Sequence, residues 1–210
     1  MKILGIDEAG RGCVLGALVV GAFLIEAGDE DDLTALGVND SKKLSKKKRD
    51  RIRKQLHEVG VAVQRLISAT AIDGGNLNTL EEEAIVELVR AHEPDRVILD
   101  ALGHPSTIPH TLERLRAATG REIDWQMEPK ADARFVVVGA ASIVAKTTRD
   151  DALQSHQEAW GDFGSGYPSD PKTRAWLRGL AQRGAPWPSF VRTRWGTVRD
   201  IESASRGEAP

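Results

Sequence analysis

Lys2-Ile3-Leu4-Gly5-Ile6-Asp7-Glu8-Ala9-Gly10-Arg11-Gly12 is a short apolar run that ends on two adjacent carboxylates and enters a glycine-flanked turn. Residues 2–6 read as a β-strand. The strand delivers Asp7 and Glu8 to a turn that glycine makes easily, because glycine tolerates positive φ. Arg11 stands between two glycines, where backbone amides approach a ligand closely. Acids suited to a hard cation lie beside an arginine suited to a phosphate, and this pairing points to phosphodiester chemistry. Strand residues alternate faces, so a regular strand does not aim both acids at one point. Either the turn at Gly10 re-aims Glu8, or the two acids have different roles.

Asp100 repeats the logic of Asp7. Arg96-Val97-Ile98-Leu99 is a buried-strand pattern that ends on this carboxylate, and in open α/β sheets ligands gather at the carboxyl ends of strands. A turn-forming role before Ala101-Leu102-Gly103 is the alternative, and the parallel with Asp7 favours the site. Asp132 lies in Lys130-Ala131-Asp132-Ala133, just ahead of a long helix expected over 134–159. An N-cap role would account for it alone, and the two roles are compatible. Along that helix Ser142, Lys146 and Arg149 follow i, i+4, i+7 spacing and share a face. A hydroxyl and two cations there suit a phosphate track; a polar exposed stripe is the alternative.

Four acids converging on one point repel unless cations lie between them. Oxygen-only ligands suit Mg²⁺ or Mn²⁺ rather than Zn²⁺, and a two-metal site clamps the attacking and leaving oxygens of a phosphoryl displacement. The chain has no Cys/His cluster and no Walker-type loop. His57, His92, His104, His110 and His156 are scattered. A third signal is Phe163-Gly164-Ser165-Gly166-Tyr167-Pro168-Ser169-Asp170-Pro171, which holds the single tyrosine of the chain between a glycine and a proline. Its ring suits stacking on a sugar or base. Packing on Trp160 and Trp176 is the alternative.

The 210 residues suffice for one large domain or a domain with an appendage, and 40% hydrophobic with 29% charged is ordinary for a globular chain. No apolar run approaches the ~18 residues of a membrane span, and no signal peptide is visible before Asp7. Cys13 is the one cysteine, which excludes an intrachain disulfide and fits a reducing cytoplasm. The net charge of −2 hides an asymmetry. Residues 42–54 carry nine Lys/Arg against Asp50, and 172–199 carry seven Lys/Arg and no acid. Such segments suggest a face for a polyanion. A solvated helix surface competes for the first; the polyanion is favoured for the second.

Elsewhere strands are expected at 14–25, 61–67 and 122–127. Helices are expected from a Ser45 cap to about 59, and over 79–91, 106–118 and 171–183. This is a mixed α/β sheet with helices on its faces. Residues 203–210 read as a disordered tail.

Together these residues resemble type 2 ribonuclease H, over about residues 2–198. The matching segments are Asp7-Glu8-Ala9-Gly10-Arg11-Gly12, Asn39-Asp40-Ser41-Lys42-Lys43-Leu44, Leu99-Asp100, Lys130-Ala131-Asp132 with Ala140-Ala141-Ser142-Ile143-Val144-Ala145-Lys146, and Gly164-Ser165-Gly166-Tyr167-Pro168. Gly-Tyr-Pro-Ser-Asp-Pro resembles the archaeal and eukaryotic branch. The resemblance implies a ribonuclease H-like fold over 1–160, with a mixed central sheet flanked by helices, and a helical C-terminal extension over 161–202 completing the substrate cleft. It implies metal-dependent cleavage of the RNA strand of RNA/DNA hybrids, and incision 5′ to single ribonucleotides in duplex DNA, leaving 3′-hydroxyl and 5′-phosphate ends. The metal-site acids would be Asp7, Glu8, Asp100 and Asp132. Gly10, Arg11 and Gly12 would meet the 2′-OH through backbone groups, and Tyr167 would rest against the adjacent deoxyribose. Lys42, Lys43, Ser142, Lys146 and Arg149 would hold flanking phosphates. The protein is expected to act as a monomer, away from membranes. Cys13 and Ala17 stand where the family often has proline. The end of the chain carries no glutamine-plus-aromatic motif of the kind that docks many relatives onto sliding clamps, which argues against clamp binding.

Overall fold

The computed structural model describes residues 1–38 and 44–207. Lys42 and Lys43 lie outside them. Five strands, β1 (Lys2–Ala9), β2 (Leu18–Glu26), β3 (Val61–Ile67), β4 (Arg96–Asp100) and β5 (Asp124–Glu128), form one sheet in the order β3-β2-β1-β4-β5. The β1–β2 and β2–β3 pairs are antiparallel, and the β1–β4 and β4–β5 pairs are parallel. Ile6 pairs with Leu99. The next residue on each strand is an acid, so the parallel register brings Asp7 and Asp100 to the same sheet edge.

Nine helices are described: α1 (Glu30–Ala35), α2 (Lys46–Gln55), α3 (Ala69–Gly74), α4 (Leu77–His92), α5 (Ile108–Thr119), α6 (Ala131–Arg134), α7 (Val136–Trp160), α8 (Pro171–Gln182) and α9 (Gly196–Ser205). Polar caps set several of their starts. Ser45 accepts from the Lys48 N–H, Asn76 from those of Asn78 and Thr79, and Asp170 from that of Lys172.

Strand alternation divides the core. Ile3, Phe23, Ile25 and Ile98 pack with Val137, Ala141 and Val144 of α7 on one face. Leu4, Ile6, Val20, Val97 and Leu99 pack with Ile85 and Val89 of α4 and Leu115 of α5 on the other. Leu4 and Ile6 are fully or almost fully buried, each worth about 1.5–3 kcal/mol. Helix α7 lies close on β1 and β2 because each strand offers a glycine. A Cβ at Gly5 would stand 2.4 Å from the Val137 carbonyl oxygen, and one at Gly21 2.6 Å from that of Ala141. A third cluster joins Val14, Leu15 and Leu153 to Phe163, Leu177, Phe190, Val191, Val198 and Ile201.

Several expectations need correction. The second strand begins at Leu18 rather than Val14. Gly16 has φ +86, and Leu15 leaves the sheet to bridge Val191. The long helix begins at Val136 rather than Arg134, because Phe135 is extended (φ −116, ψ 114), and a separate short helix, α6, precedes it. A 3₁₀ turn at Pro105–Thr107 precedes α5. Helices α1, α3, α6 and α9 lie outside the expected helices, and α9 runs to Ser205, into the expected tail. Asp132 is not an N-cap: it lies in the first turn of α6, whose N-cap is Lys130.

Candidate active site

Strand β1 stays regular through Ala9, so alternation holds past the acids. Asp7 shares the parity of Ile3 and Gly5 and faces α7, where it is 5% exposed. Glu8 leaves on the opposite face. The two residues still line one cavity at the strand end, and Asp7 Oδ1 accepts from the Glu8 N–H at 2.8 Å. The turn does not re-aim Glu8, because the strand stays regular past it, yet both acids line the cavity. Asp100 has the parity of Ile98, hence of the α7 face, and its Oδ1 accepts from the Ala131 N–H at 2.9 Å. Asp100 thereby caps α6. Lys130 holds a left-handed conformation, φ 61, to start that helix. Asp132, 3% exposed, follows one residue on.

Asp7, Glu8, Asp100, Gly10, Arg11, Gly12, Lys146, Arg149 and Tyr167 line one cavity of about 370 Å³, together with Arg49 and Asp150. Asp132 and Ser142 are buried outside this lining. Among the described residues no three Asp, Glu, His or Cys side chains are already grouped around one point for an ion. Instead Lys146 Nζ stands 3.7 Å from Asp7 Oδ2.

Burial pushes the Asp7 carboxyl above the usual range; Lys146 and the Ser142 hydroxyl act against this, and Asp100 adds to it. Glu8 is pushed up to about 8, first by burial, then by the charge of Asp7 and the hydrogen bond to it. Although Glu8 keeps some surface exposed, its Oε2 is buried and has no hydrogen-bond partner among the described residues. Two acids that resist ionisation, with a carboxylate oxygen left over, are a donor set that a hard cation would complete.

The two glycines of the turn differ. Gly10 has φ +88, and a Cβ there would come within 2.7 Å of the Ala17 carbonyl oxygen; a Cβ at Gly12 would meet nothing within 4 Å. The fold requires the first glycine. The second leaves the backbone open to whatever enters the cavity.

Four expected phosphate contacts have other partners, Lys146 among them through Ser142 and Asp7. The Arg11 guanidinium pairs with Glu81 of α4 and donates to Asn78 Oδ1, so only the backbone of this residue faces a ligand. Ser142 is fully buried and bonds Lys146 and Asp7; it supports the acid. Ser142, Lys146 and Arg149 do share a face of α7, but Arg149 donates to the Ser165 carbonyl and to Cys13 Sγ at 3.2 Å. Its guanidinium also lies 5.2 Å from the Tyr167 ring centroid. Tyr167 is 40% exposed, and its pKa is raised first by burial and then by the neighbouring Cys13. Its ring lies on Arg149 and not on the tryptophans, whose edge-on and tilted ring contacts are with each other and with Phe163 and Phe190. Its loop turns on Gly164 and Gly166, both at positive φ. Asp170 accepts from the Ser165 N–H at 2.6 Å and from its hydroxyl at 2.7 Å.

Two residues of the site escaped the sequence reading. Glu81 is 0% exposed on α4. Its signal was available, an acid in the apolar stripe shared by Leu77, Ile85 and Leu88. Arg192 was counted with the basic face of 172–199, yet it is 0% exposed. Nothing in its neighbours, Val191 and Thr193, distinguishes it.

A family model described as Ribonuclease HII matches residues 4–198. Ribonuclease HII of Aeropyrum pernix is 40% identical over 205 residues, covering 95% of this chain and 89% of the relative. Among solved structures, ribonuclease H2 from Pyrococcus horikoshii superposes with a TM-score of 0.90 at 35% identity, covering 98% of this chain and 99% of that one. The PCNA:RNase HII complex from Archaeoglobus fulgidus superposes with a TM-score of 0.84 at 36% identity, covering 93% and 95%.

Proposed function

Because the chain belongs to the ribonuclease HII family, it is an endonuclease of the ribonuclease H type acting on RNA/DNA hybrids, and we propose that it also incises 5′ to single ribonucleotides in duplex DNA. The products would be 3′-hydroxyl and 5′-phosphate ends. The observation that carries this reading is one cavity lined at once by Asp7, Glu8 and Asp100, by the Gly10-Arg11-Gly12 backbone and by Tyr167.

Asp7, Glu8 and Asp100 of the cavity would hold two Mg²⁺ or Mn²⁺ ions, with Asp132, buried just outside the lining, as the fourth acid. The buried Glu8 Oε2 and the raised pKa values of Asp7 and Glu8 fit such ligation. When bound, these ions lower the pKa of the attacking water and neutralise charge growing on the phosphate. The Ser142 hydroxyl and the Glu8 N–H keep the Asp7 carboxylate aimed, and Asp100 is fixed by α6. The backbone at Gly10-Arg11-Gly12 meets the 2′-OH, which is what separates RNA from DNA at a given nucleotide. Phosphates alone cannot separate them. Tyr167, steadied by Arg149, lies against the neighbouring deoxyribose. Lys146, and Lys42 and Lys43 beyond the described residues, hold phosphates.

The test is cleavage of DNA duplexes carrying zero, one or four ribonucleotides, with and without Mg²⁺, by wild type and Asp7→Asn. Metal-dependent incision at one and at four, and none at zero, is expected, with Asp7→Asn folded and nearly inactive. Cleavage only at four would assign the specificity of a type 3 enzyme. Binding without cleavage in any metal would mark a binding module.

A further inference from the structure

Arg192, in the segment just before α9, is fully buried and takes no part in the chemistry above. Its guanidinium donates through Nη2 to the Gly10 carbonyl at 2.7 Å, through Nη1 to the Arg11 carbonyl at 2.9 Å, and through Nε to the Gly16 carbonyl at 3.0 Å. All three acceptors belong to the turn that leaves β1. The Trp195 ring covers the guanidinium at 5.0 Å. Burial lowers its pKa to about 10, so it stays charged at neutral pH. A buried charge is costly unless its donors are satisfied, and here backbone carbonyls of a single turn satisfy them.

The segment carrying Arg192 is itself fastened. The Gly16 N–H donates to the Phe190 carbonyl at 2.8 Å, and the Arg192 N–H to the Val14 carbonyl at 2.9 Å. On the other side Asp73 of α3 accepts from the Thr193 N–H at 2.6 Å, the Thr193 hydroxyl at 2.7 Å and the Arg194 N–H at 3.2 Å.

Planarity gives these contacts a consequence. In a trans peptide the N–H points opposite to the C=O of the same unit. The Gly10 carbonyl shares its plane with the Arg11 N–H, and the Arg11 carbonyl with the Gly12 N–H. Among the described residues neither N–H donates to a protein acceptor, and both residues line the cavity. We propose that Arg192 is a positioning residue for ribonucleotide recognition: by holding the Gly10 and Arg11 carbonyls on the buried side, it aims the Arg11 and Gly12 N–H groups into the cavity as a paired donor for the 2′-oxygen. This rests on the reading that the turn meets the 2′-OH. A lysine keeps the charge but lacks the planar fork that spans three carbonyls.

The experiment compares wild type, Arg192→Met, Arg192→Lys and Asp73→Asn on two duplexes, identical except for one ribonucleotide or one 2′-fluoronucleotide. Fluorine is a far weaker acceptor than the hydroxyl oxygen. Wild type should prefer the ribonucleotide. Arg192→Met should reduce that preference roughly tenfold, the worth of a lost, well-aligned hydrogen bond. The loss should fall in kcat with the salt dependence of binding unchanged, and Arg192→Lys should lie between. A folded Arg192→Met with wild-type preference overturns the proposal and leaves the proposed function standing. Should Arg192→Met not fold, Asp73→Asn carries the test: a severalfold fall in preference supports the role of the segment, and no change overturns it. A wild type indifferent to the substitution removes both the 2′-OH reading and the role of Arg192.

Discussion

Glu8 and Gly10 are the positions where local physics makes the sharpest demands. The folded-state pKa of Glu8, about 8, lies above its ordinary 4.5, so the folded protein binds that proton more tightly than the unfolded chain. Its contribution to stability is complete below about pH 4.5 and is lost as pH rises through about 8, with a slope approaching ~1.4 kcal/mol per pH unit between them. The raised pKa of Asp7 acts in the same direction. Metal-free protein is therefore expected to lose stability across this window in urea titrations, and Glu8→Gln to lose less. An identical decline in the mutant would assign the titration to another group. For the turn, Gly12→Ala places its Cβ in open space and should change stability by less than about 1 kcal/mol, yet lower kcat/KM on a hybrid by roughly tenfold or more. Gly10→Ala meets both positive φ and the Ala17 carbonyl and should destabilise by about 1–2 kcal/mol or more. A fully active Gly12→Ala would show that nothing approaches that backbone closely.

Helix α7 is the element that organises the site. Its small residues let it lie on Gly5 and Gly21, and its next turns present Ser142 to Asp7, Lys146 to Asp7, and Arg149 to Tyr167. The spacing of these three was legible because helical geometry is local. Their partners were not, since Tyr167 and Cys13 arrive from other parts of the chain. Arg149 is held by Ser165, Cys13 and the Tyr167 ring, so Arg149→Met should leave the salt dependence of hybrid binding almost unchanged, whereas a phosphate contact would remove about one ion. It should instead mimic part of the loss from Tyr167→Ala on a one-ribonucleotide duplex. The double mutant should be non-additive by ~1 kcal/mol, the scale of a cation–π contact. Additive losses with a reduced salt slope would return Arg149 to the phosphate track.

At the scale of the whole molecule, the C-terminal helices share a core with the catalytic body: Val14, Leu15 and Leu153 pack with Phe163, Leu177, Phe190 and Val198. A boundary at 160 divides sequence segments but not this cluster, so calorimetry should show one cooperative transition with equal calorimetric and van't Hoff enthalpies; two separated transitions would make the extension an independent unit. No described helix is long and apolar enough to cross a membrane. The sequence by itself determined the mixed sheet, the strands that carry Asp7 and Asp100, and the cap at Ser45, because alternation and capping act over a few residues; that β1 continues past Asp7 to Ala9, and that Asp170 caps α8, came from the structure. The sequence also carried the family, through motifs in a fixed order. Tertiary structure alone decided that the Arg11 side chain turns to Glu81, that Ser142 serves Asp7, that Tyr167 rests on Arg149 rather than on tryptophans, and that Arg192 is buried under the catalytic turn. The physical reason is the same in each case. A charged or polar side chain takes whichever partner desolvation leaves it, and that partner, tens to more than a hundred residues away, is chosen by packing.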